Sequence, residues 1–551
     1  MVNRRFGRLL VPATALALLN FGLTFDSLWP TLWIRPRWAL SVELAAAVLV
    51  LAFALVRYGR PAPRALAVLA GGYVALALGR YVEVTARELY GRPINLYYDA
   101  PHVPKVVAMF FDAAPVWMEV GAAALGVLGL AALFAIVRWA LTNVVEALTA
   151  PRVRGAAALA AASACLAFVF GASGFTPPVT ASYARQGALL AQALSGGGAS
   201  LGESPDFGGA LATVRGADVF VIFLESYGAA TYDQPAYAER LAEPRSALAA
   251  AAAQSGRGVV SAFVESPTFG GASWLAHASL LAGIEVRDGD AYNLLTTQRR
   301  ETLVGAFARE GYRTVALMPG LRSDWREGAA FYGFDEIYGA AQLDYRGPAF
   351  GWWRIPDQYA LAKFDRLELA AARRAPLFVV FPTISSHAPF RPLPPYQPDW
   401  TRVVSERPFD VAGEGVAHDD PAAWTNLGPA YADAVGYAFA TLAGYLRERP
   451  RDDLVLIVLG DHQPPAGVAG ERAGWEVPVH VIANRREVLD ALVASGFIPG
   501  LEPRRPALGR THELTPVLLG AFGSGAETGV NVARSPAGPQ TLQKGANRVG
   551  L

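Results

Sequence analysis

The stretch LVLIVLGDH, residues 454–462, decides how the chain folds. Six successive apolar residues suit a strand buried on both faces, and the glycine, acid and imidazole that follow end it in a polar turn. The same pattern recurs upstream. VFVIFL at 219–224 runs into Glu225-Ser226-Tyr227-Gly228, and LFVVF at 377–381 runs through Pro382 and Thr383 into Ser385-Ser386-His387. Strand-length apolar runs also occur at 259–264, 314–318 and 478–482, and helical patterns lie between them at 237–253, 274–282, 300–310, 357–373, 427–448 and 486–495. Continuous apolar strands separated by helices predict a mainly parallel α/β sheet covered on both faces. Such sheets bind ligands beyond the carboxyl ends of their strands, so Glu225, His387 and the Asp461-His462 pair are expected along one edge. Oxygen and imidazole donors of this kind suit a hard or borderline divalent cation.

A nucleophile is offered by Gly270-Gly271-Ala272-Ser273-Trp274, just after the second strand run. Ser273 would open a helix, where free N–H groups and the helix dipole favour a phosphoryl anion, and metal coordination activates a serine hydroxyl. An ordinary helix cap is the competing role for this serine, and Thr268 and Ser279 are rival nucleophiles. His480, inside a strand run, and His512 read as structural, and His418 as solvated beside Asp419 and Asp420. His277, one turn beyond Ser273, faces either the core or the site.

Outward from this domain the composition changes. At 53% hydrophobic and 17% charged, the 551 residues are too apolar for an ordinary soluble chain. Cys165 is the sole cysteine, which excludes an intramolecular disulfide. Up to Phe175 there are 15 Lys and Arg against 8 Asp and Glu, and beyond it 33 against 39. An acidic extramembrane part lacks the basic footprint that nucleic acid requires.

Runs of about 20 apolar residues cross a bilayer, and five are expected, at 9–28, 38–56, 65–84, 114–137 and 155–175. Arg4, Arg5, Arg8, Arg57, Arg60, Arg64, Arg138, Arg152 and Arg154 fall on one side of these spans, which predicts a cytoplasmic N-terminus and, after five crossings, an extracytoplasmic domain. A cleaved signal peptide competes for the first run, but no small-residue cleavage site follows it. Residues 103–117 suit an amphipathic interfacial segment or an extension of the fourth span. The expected organisation is a transmembrane domain at 1–175, a linker at 176–216 with a short helix near 188–194, a catalytic domain at 217–530 and a tail at 531–551.

Taken in order, the five spans, the linker, strand-Glu225-Ser226, the Gly-rich turn with its hydroxyl, Ser386-His387-Ala388-Pro389-Phe390 and Gly460-Asp461-His462 resemble the lipoteichoic acid synthase and phosphoglycerol transferase branch of the sulfatase-like, alkaline-phosphatase superfamily. The resemblance covers nearly the whole chain. It implies one Mn²⁺ or Zn²⁺ held by Glu225, Ser273, Asp461 and His462, with His387 near the transferred group. It further implies a headgroup pocket near Trp325, with Arg322, Arg326 or Arg354 on phosphate oxygens. The family typically has threonine where Ser273 stands. The C/S-x-P-x-R pattern of true sulfatases is absent, because Ser273 is followed by Trp274-Leu275-Ala276-His277.

The function expected from the resemblance is transfer of a phosphoglycerol or phosphoethanolamine headgroup from an outer-leaflet phospholipid, through Ser273, to a cell-envelope glycan or lipid acceptor. A metal-dependent phosphodiesterase or phosphatase, with water as acceptor, uses the same residues. A non-catalytic membrane scaffold is opposed by the complete ligand set. A transporter is opposed by sparse intramembrane charge, of which Glu43, Glu119 and Asp26 are the clearest cases. Trp352-Trp353 and Tyr338 offer sugar-stacking faces, although aromatics in such a domain usually belong to the core.

Overall fold

The computed structural model describes residues 2–27, 34–90, 96, 100, 103–104, 116–194, 201–322, 325–350, 354–369, 374–409, 426–470 and 472–523. Most of the 103–117 segment, Trp352-Trp353, His418 and the 531–551 tail lie outside these residues.

A helix occupies each expected span: α1 (Val2–Thr24), α2 (Val42–Tyr58), α3 (Pro63–Tyr90), α4 (Val116–Leu148) and α5 (Pro151–Val169). Three contain stretches long and apolar enough to cross a membrane, Pro63–Thr85, Glu119–Leu148 and Pro151–Val169. The apolar part of α1, Leu10–Thr24, and the 17-residue α2 fall short of about 20 residues. Leu19, Leu55, Val74, Val137 and Val144 form the bundle's core.

Three acids in this part meet local partners. Glu43 Oε1 accepts from the Val179 and Thr180 N–H groups at 3.0 and 2.8 Å, at the start of α6 (Pro178–Leu194). Asp26 meets Arg80 at 3.1 Å, and Glu83 pairs with Arg185 of α6. The helix after Pro177 is 17 residues long rather than a short helix near 188–194, and its N-terminal dipole meets Glu43.

The extramembrane sheet has eight strands: β1 (Asp218–Leu224), β2 (Gly258–Glu265), β3 (Arg313–Leu317), β4 (Glu336–Tyr338), β5 (Leu377–Pro382), β6 (Leu454–Gly460), β7 (Glu476–Ala483) and β8 (Ile498–Pro499). Their order is β8-β2-β7-β6-β1-β5-β3-β4. From β6 to β4 every pairing is parallel, whereas β7 runs antiparallel to both β6 and β2, and β8 antiparallel to β2. The sheet is mixed rather than mainly parallel. The physical reason is the link from Gly460 to Glu476, which contains only the four-residue helix Ala466–Ala469 among its described residues and no crossover helix to cover the sheet.

Both faces are covered. Phe220, Ile222 and Leu224 of β1 enter one core with α7 (Ala242–Gln254), α9 (Asp357–Glu368) and α10 (Gly428–Glu448). Val219, Val221 and Phe223 enter the other, with α8 (Ser273–Ala282), α11 (Arg486–Ala494) and α12 (Leu514–Phe522). Strand side chains alternate between faces, so a strand buried on both faces is apolar throughout. Phe207, Leu211 and Val214, within the expected linker stretch, are also buried in this second core.

Candidate metal centre and nucleophile

Strand register builds the site. Leu224 pairs with Gly460 and Phe223 with Pro382, so Glu225, Asp461 and Thr383 leave three adjacent strands at one level. A Cβ on Gly460 would lie 1.8 Å from the Tyr227 carbonyl oxygen, so only glycine lets the β1 turn pass so close to β6. The β5 turn holds Glu225 by its backbone: Glu225 N–H donates to Thr383 Oγ1 at 3.1 Å, and Ser386 Oγ donates to the Glu225 carbonyl at 2.7 Å.

Glu225, Asp461 and His462 are buried, and each offers a ligand atom within 4.8 Å of the other two. Ser273 Oγ donates to Glu225 Oε2 at 3.0 Å and lies 3.1 Å from His462 Nε2. His462 Nδ1 donates to the Gln463 carbonyl at 2.7 Å, which turns Nε2 toward the carboxylates. Ser226 completes the arrangement: its Oγ donates to Glu225 Oε1 at 2.9 Å and its N–H to Asp461 Oδ1 at 2.8 Å.

Electrostatics test whether this set fits a cation. Burial and the neighbouring Glu225 carboxylate push the Asp461 carboxyl up to about 8. Burial opposes charge on His462, yet the Asp461 and Glu225 carboxylates raise it to about 9. Burial would also raise Glu225, but the His462 imidazolium holds it well below the usual carboxylate range. At neutral pH the Asp461 carboxyl and the His462 ring thus retain protons that balance the buried charge. A divalent cation supplies that balance and displaces the protons, and oxygen and imidazole nitrogen are the donors it takes. The residues fit the metal.

The three hydroxyls considered as nucleophiles are placed differently. Thr268 Oγ1 donates to the Gly271 carbonyl at 2.6 Å, and Ser279 Oγ to the Leu275 carbonyl at 2.7 Å. Ser273 alone among them meets the carboxylate and the imidazole. It is the first residue of α8 rather than its cap. The cap position is Ala272, at φ 61°, with no side-chain hydrogen bond.

His387 Nδ1 donates to the Ala388 carbonyl at 2.7 Å, and its charge acts on Glu225. The ring lines a small cavity with Ile355, Pro356, Ser385 and Phe390. Arg354, at φ 20°, precedes Ile355 and is exposed, as are Arg322 and Arg326. Trp325 packs on Tyr332, with ring centroids 5.7 Å apart, and hydrogen-bonds Tyr292. Neither Trp325 nor any of the three arginines is among the hydrogen-bond partners of Glu225, Ser273, Asp461 or His462 described above. Tyr338 donates its hydroxyl to Glu368 at 2.7 Å.

The remaining histidines divide as well. His480 bridges Ser261 Oγ at 2.6 Å and Tyr227 OH at 2.9 Å inside the sheet, a structural role. His277 lies against Phe223, ring centroids 4.2 Å apart, and burial pushes its pKa down to about 3. Its Nε2 is buried without a hydrogen-bond partner among the described residues.

Residues 259–488, within the extramembrane domain, match the family model described as Sulfatase. The matched stretch includes Ser273, His387, Asp461 and His462, and Glu225 precedes it. No curated protein matches the sequence. Similar solved structures include the lipoteichoic acid synthase LtaP from Listeria monocytogenes, 15% identical over 59% of this chain and 78% of that one, TM-score 0.35. The Streptococcus pyogenes phosphoglycerol transferase GacH in complex with sn-glycerol-1-phosphate is 11% identical over 62% and 81%, TM-score 0.37. The zinc complex of the C-terminal periplasmic domain of EcEptC from Escherichia coli is 13% identical over 52% and 76%, TM-score 0.33.

Proposed function

We propose that the protein transfers a phosphoglycerol or phosphoethanolamine headgroup from a membrane phospholipid, by way of Ser273, to a hydroxyl of a cell-envelope glycan or lipid. The single observation that carries this reading is the placement of Ser273 Oγ at a helix N-terminus, 3.0 Å from Glu225 and 3.1 Å from His462.

In the first half-reaction Ser273 Oγ releases its proton to solvent and attacks phosphorus, the bond from phosphorus to the diacylglycerol oxygen breaks, and that oxygen takes a proton. His387 is assigned to deliver it, from the β5 turn that also grips the Glu225 backbone. In the second half-reaction an acceptor hydroxyl attacks, the bond from phosphorus to Oγ breaks, and Ser273 regains its proton. A divalent ion, Mn²⁺ or Zn²⁺, held by Glu225, Ser273, Asp461 and His462 would lower the pKa of the serine hydroxyl and offset charge on the phosphoryl oxygens. The opening N–H groups of α8 face the same anion, and Ser226 holds Glu225 and Asp461 in register.

A lipid donor is supported by the membrane part. In this reading α1 to α5 are five spans, with the N-terminus cytoplasmic and the domain extracytoplasmic, and α3 packs directly against Ala466–Ala469, four residues beyond His462. The full chain, incubated with Mn²⁺ and vesicles of phosphatidylglycerol and phosphatidylethanolamine, is expected to release diacylglycerol from one of them. Release of phosphatidic acid, or no lipid product from either, would exclude the headgroup-transfer reading. Diacylglycerol accompanied only by free headgroup phosphate, with glycan and lipid acceptors present, would assign hydrolysis instead.

A further inference from the structure

The helix that begins with Ser273 buries almost everything after it. Leu275, Ala276, Ala278, Leu280, Leu281 and Ala282 are all inside, yet Trp274, the largest side chain of the helix, is 40% exposed. A tryptophan left outside a core forfeits a large apolar burial. Here it stands next to the nucleophile.

A second observation sets the loops of the site beside the membrane part. Ala230, just beyond the Glu225 turn, Phe269, just before the Ser273 turn, and Ala469, just after the His462 turn, form one buried apolar cluster, with Trp475 5.8 Å from Phe269 against it. The three ligand-bearing loops therefore share one apolar floor. Its Ala466–Ala469 part is in contact with α3, whose Pro63–Thr85 stretch is long and apolar enough to cross a membrane. Four residues of chain extend about 14 Å at most, so His462 cannot be far from that helix. A site built this close to a membrane-crossing helix opens near the bilayer surface. There an exposed tryptophan is at home, its ring in the acyl boundary and its indole N–H at headgroup level.

We infer that Trp274 is a specificity-determining residue: it seats in the bilayer interface against the glycerol and acyl boundary of a phospholipid and brings that lipid's ester phosphorus to Ser273 Oγ. This rests on the lipid-donor reading above for its catalytic consequence, while the bilayer contact itself is separable from it.

The test compares the full-length protein, Trp274→Ala and Trp274→Phe, at matched metal content, on two forms of one ester. One is long-chain phosphatidylglycerol in vesicles; the other is dihexanoyl phosphatidylglycerol, dissolved as monomers. Trp274→Ala is expected to lose about tenfold in rate on vesicles, mainly as a higher apparent KM, and less than about twofold on the soluble ester. Trp274→Phe should recover most of the vesicle rate, because an apolar ring survives. Equal losses on both esters, or no loss on either, would overturn the inference. A protein that turns over neither form of phosphatidylglycerol is assayed in the same way on phosphatidylethanolamine; turnover of neither lipid refutes the donor reading, and the interface claim is then decided by fluorescence in nanodiscs. Emission lost between the parent and Trp274→Phe should be quenched by lipids brominated near the carbonyl end of the acyl chain; absence of that quenching overturns it.

Discussion

Ser226 holds two members of the candidate metal site at once, through its hydroxyl to Glu225 and its N–H to Asp461, and it does so at φ 58°. Few non-glycine residues adopt that conformation, and where they do it commonly serves function. The grouping of Glu225, Ser273, Asp461 and His462 was legible in the sequence because each sits at the end of a recognisable strand or the start of a recognisable helix. Ser226 was quoted beside Glu225 but carries no signal of its own role, which depends on a positive φ and on the turn after β6. The arginine assignments were the least legible, since their loops have no periodic pattern to fix where they point. Alanine at Glu225, Asp461 or His462 should abolish binding of one Mn²⁺ or Zn²⁺ per chain. Ser226→Ala should weaken it by about 10- to 100-fold, the usual effect of removing a group that orients a ligand. Isothermal titration and elemental analysis of the four variants check this, and full occupancy in all of them would show the site to be misplaced.

Among the elements, β1 is fixed at both ends. At its far end from the site, Asp218 accepts from Arg374 at 2.7 and 2.6 Å, from Arg449 at 2.7 Å and from the Leu377 N–H at 3.0 Å. Asp218 and Arg449 are each 4% exposed. Burial would raise the Asp218 carboxyl, but the Arg374 and Arg449 guanidinium groups outweigh it and hold the group below its ordinary 3.8. A carboxyl with a depressed folded pKa stabilises above its unfolded value, and that stability is lost as pH falls through the folded pKa. Asp218→Ala should cost about 3 kcal/mol, the low end for a broken buried pair, because Arg449 keeps Asp452 and Tyr445 as partners. The loss should be seen as a lower urea midpoint at pH 7 and should shrink below pH 3.8, the ordinary value from which the group is shifted. A midpoint within error of the parent at pH 7 would contradict this. Strand identity was readable here from continuous apolar runs, but direction was not. The run at 478–482 looks like its parallel neighbours, and only the lack of a crossover helix before it marks β7 as antiparallel.

At the scale of the whole molecule, composition separates an apolar, net-basic part from a net-acidic one, and the structure joins them through α6 and through the contact of α3 with Ala466–Ala469. Of the acids that might have suggested a transport path, Glu43 instead caps α6 and Asp26 pairs with Arg80. That coupling was not legible in the sequence, because a linker rich in Gly and Pro on either side of one helix gives no sign of where the helix docks. The account depends on Ser273 becoming covalently linked to a lipid-derived phosphoryl group. The most direct test is intact mass of the full chain after exposure to mixed phospholipids and Mn²⁺, followed by peptide mapping. The parent should gain the mass of one phosphoglycerol or phosphoethanolamine group at Ser273. Thr268→Ala and Ser279→Ala should gain it too, and Ser273→Ala should not, while still binding metal. If Ser273→Ala is labelled as fully as the parent, the nucleophile lies elsewhere and the proposed chemistry is contradicted.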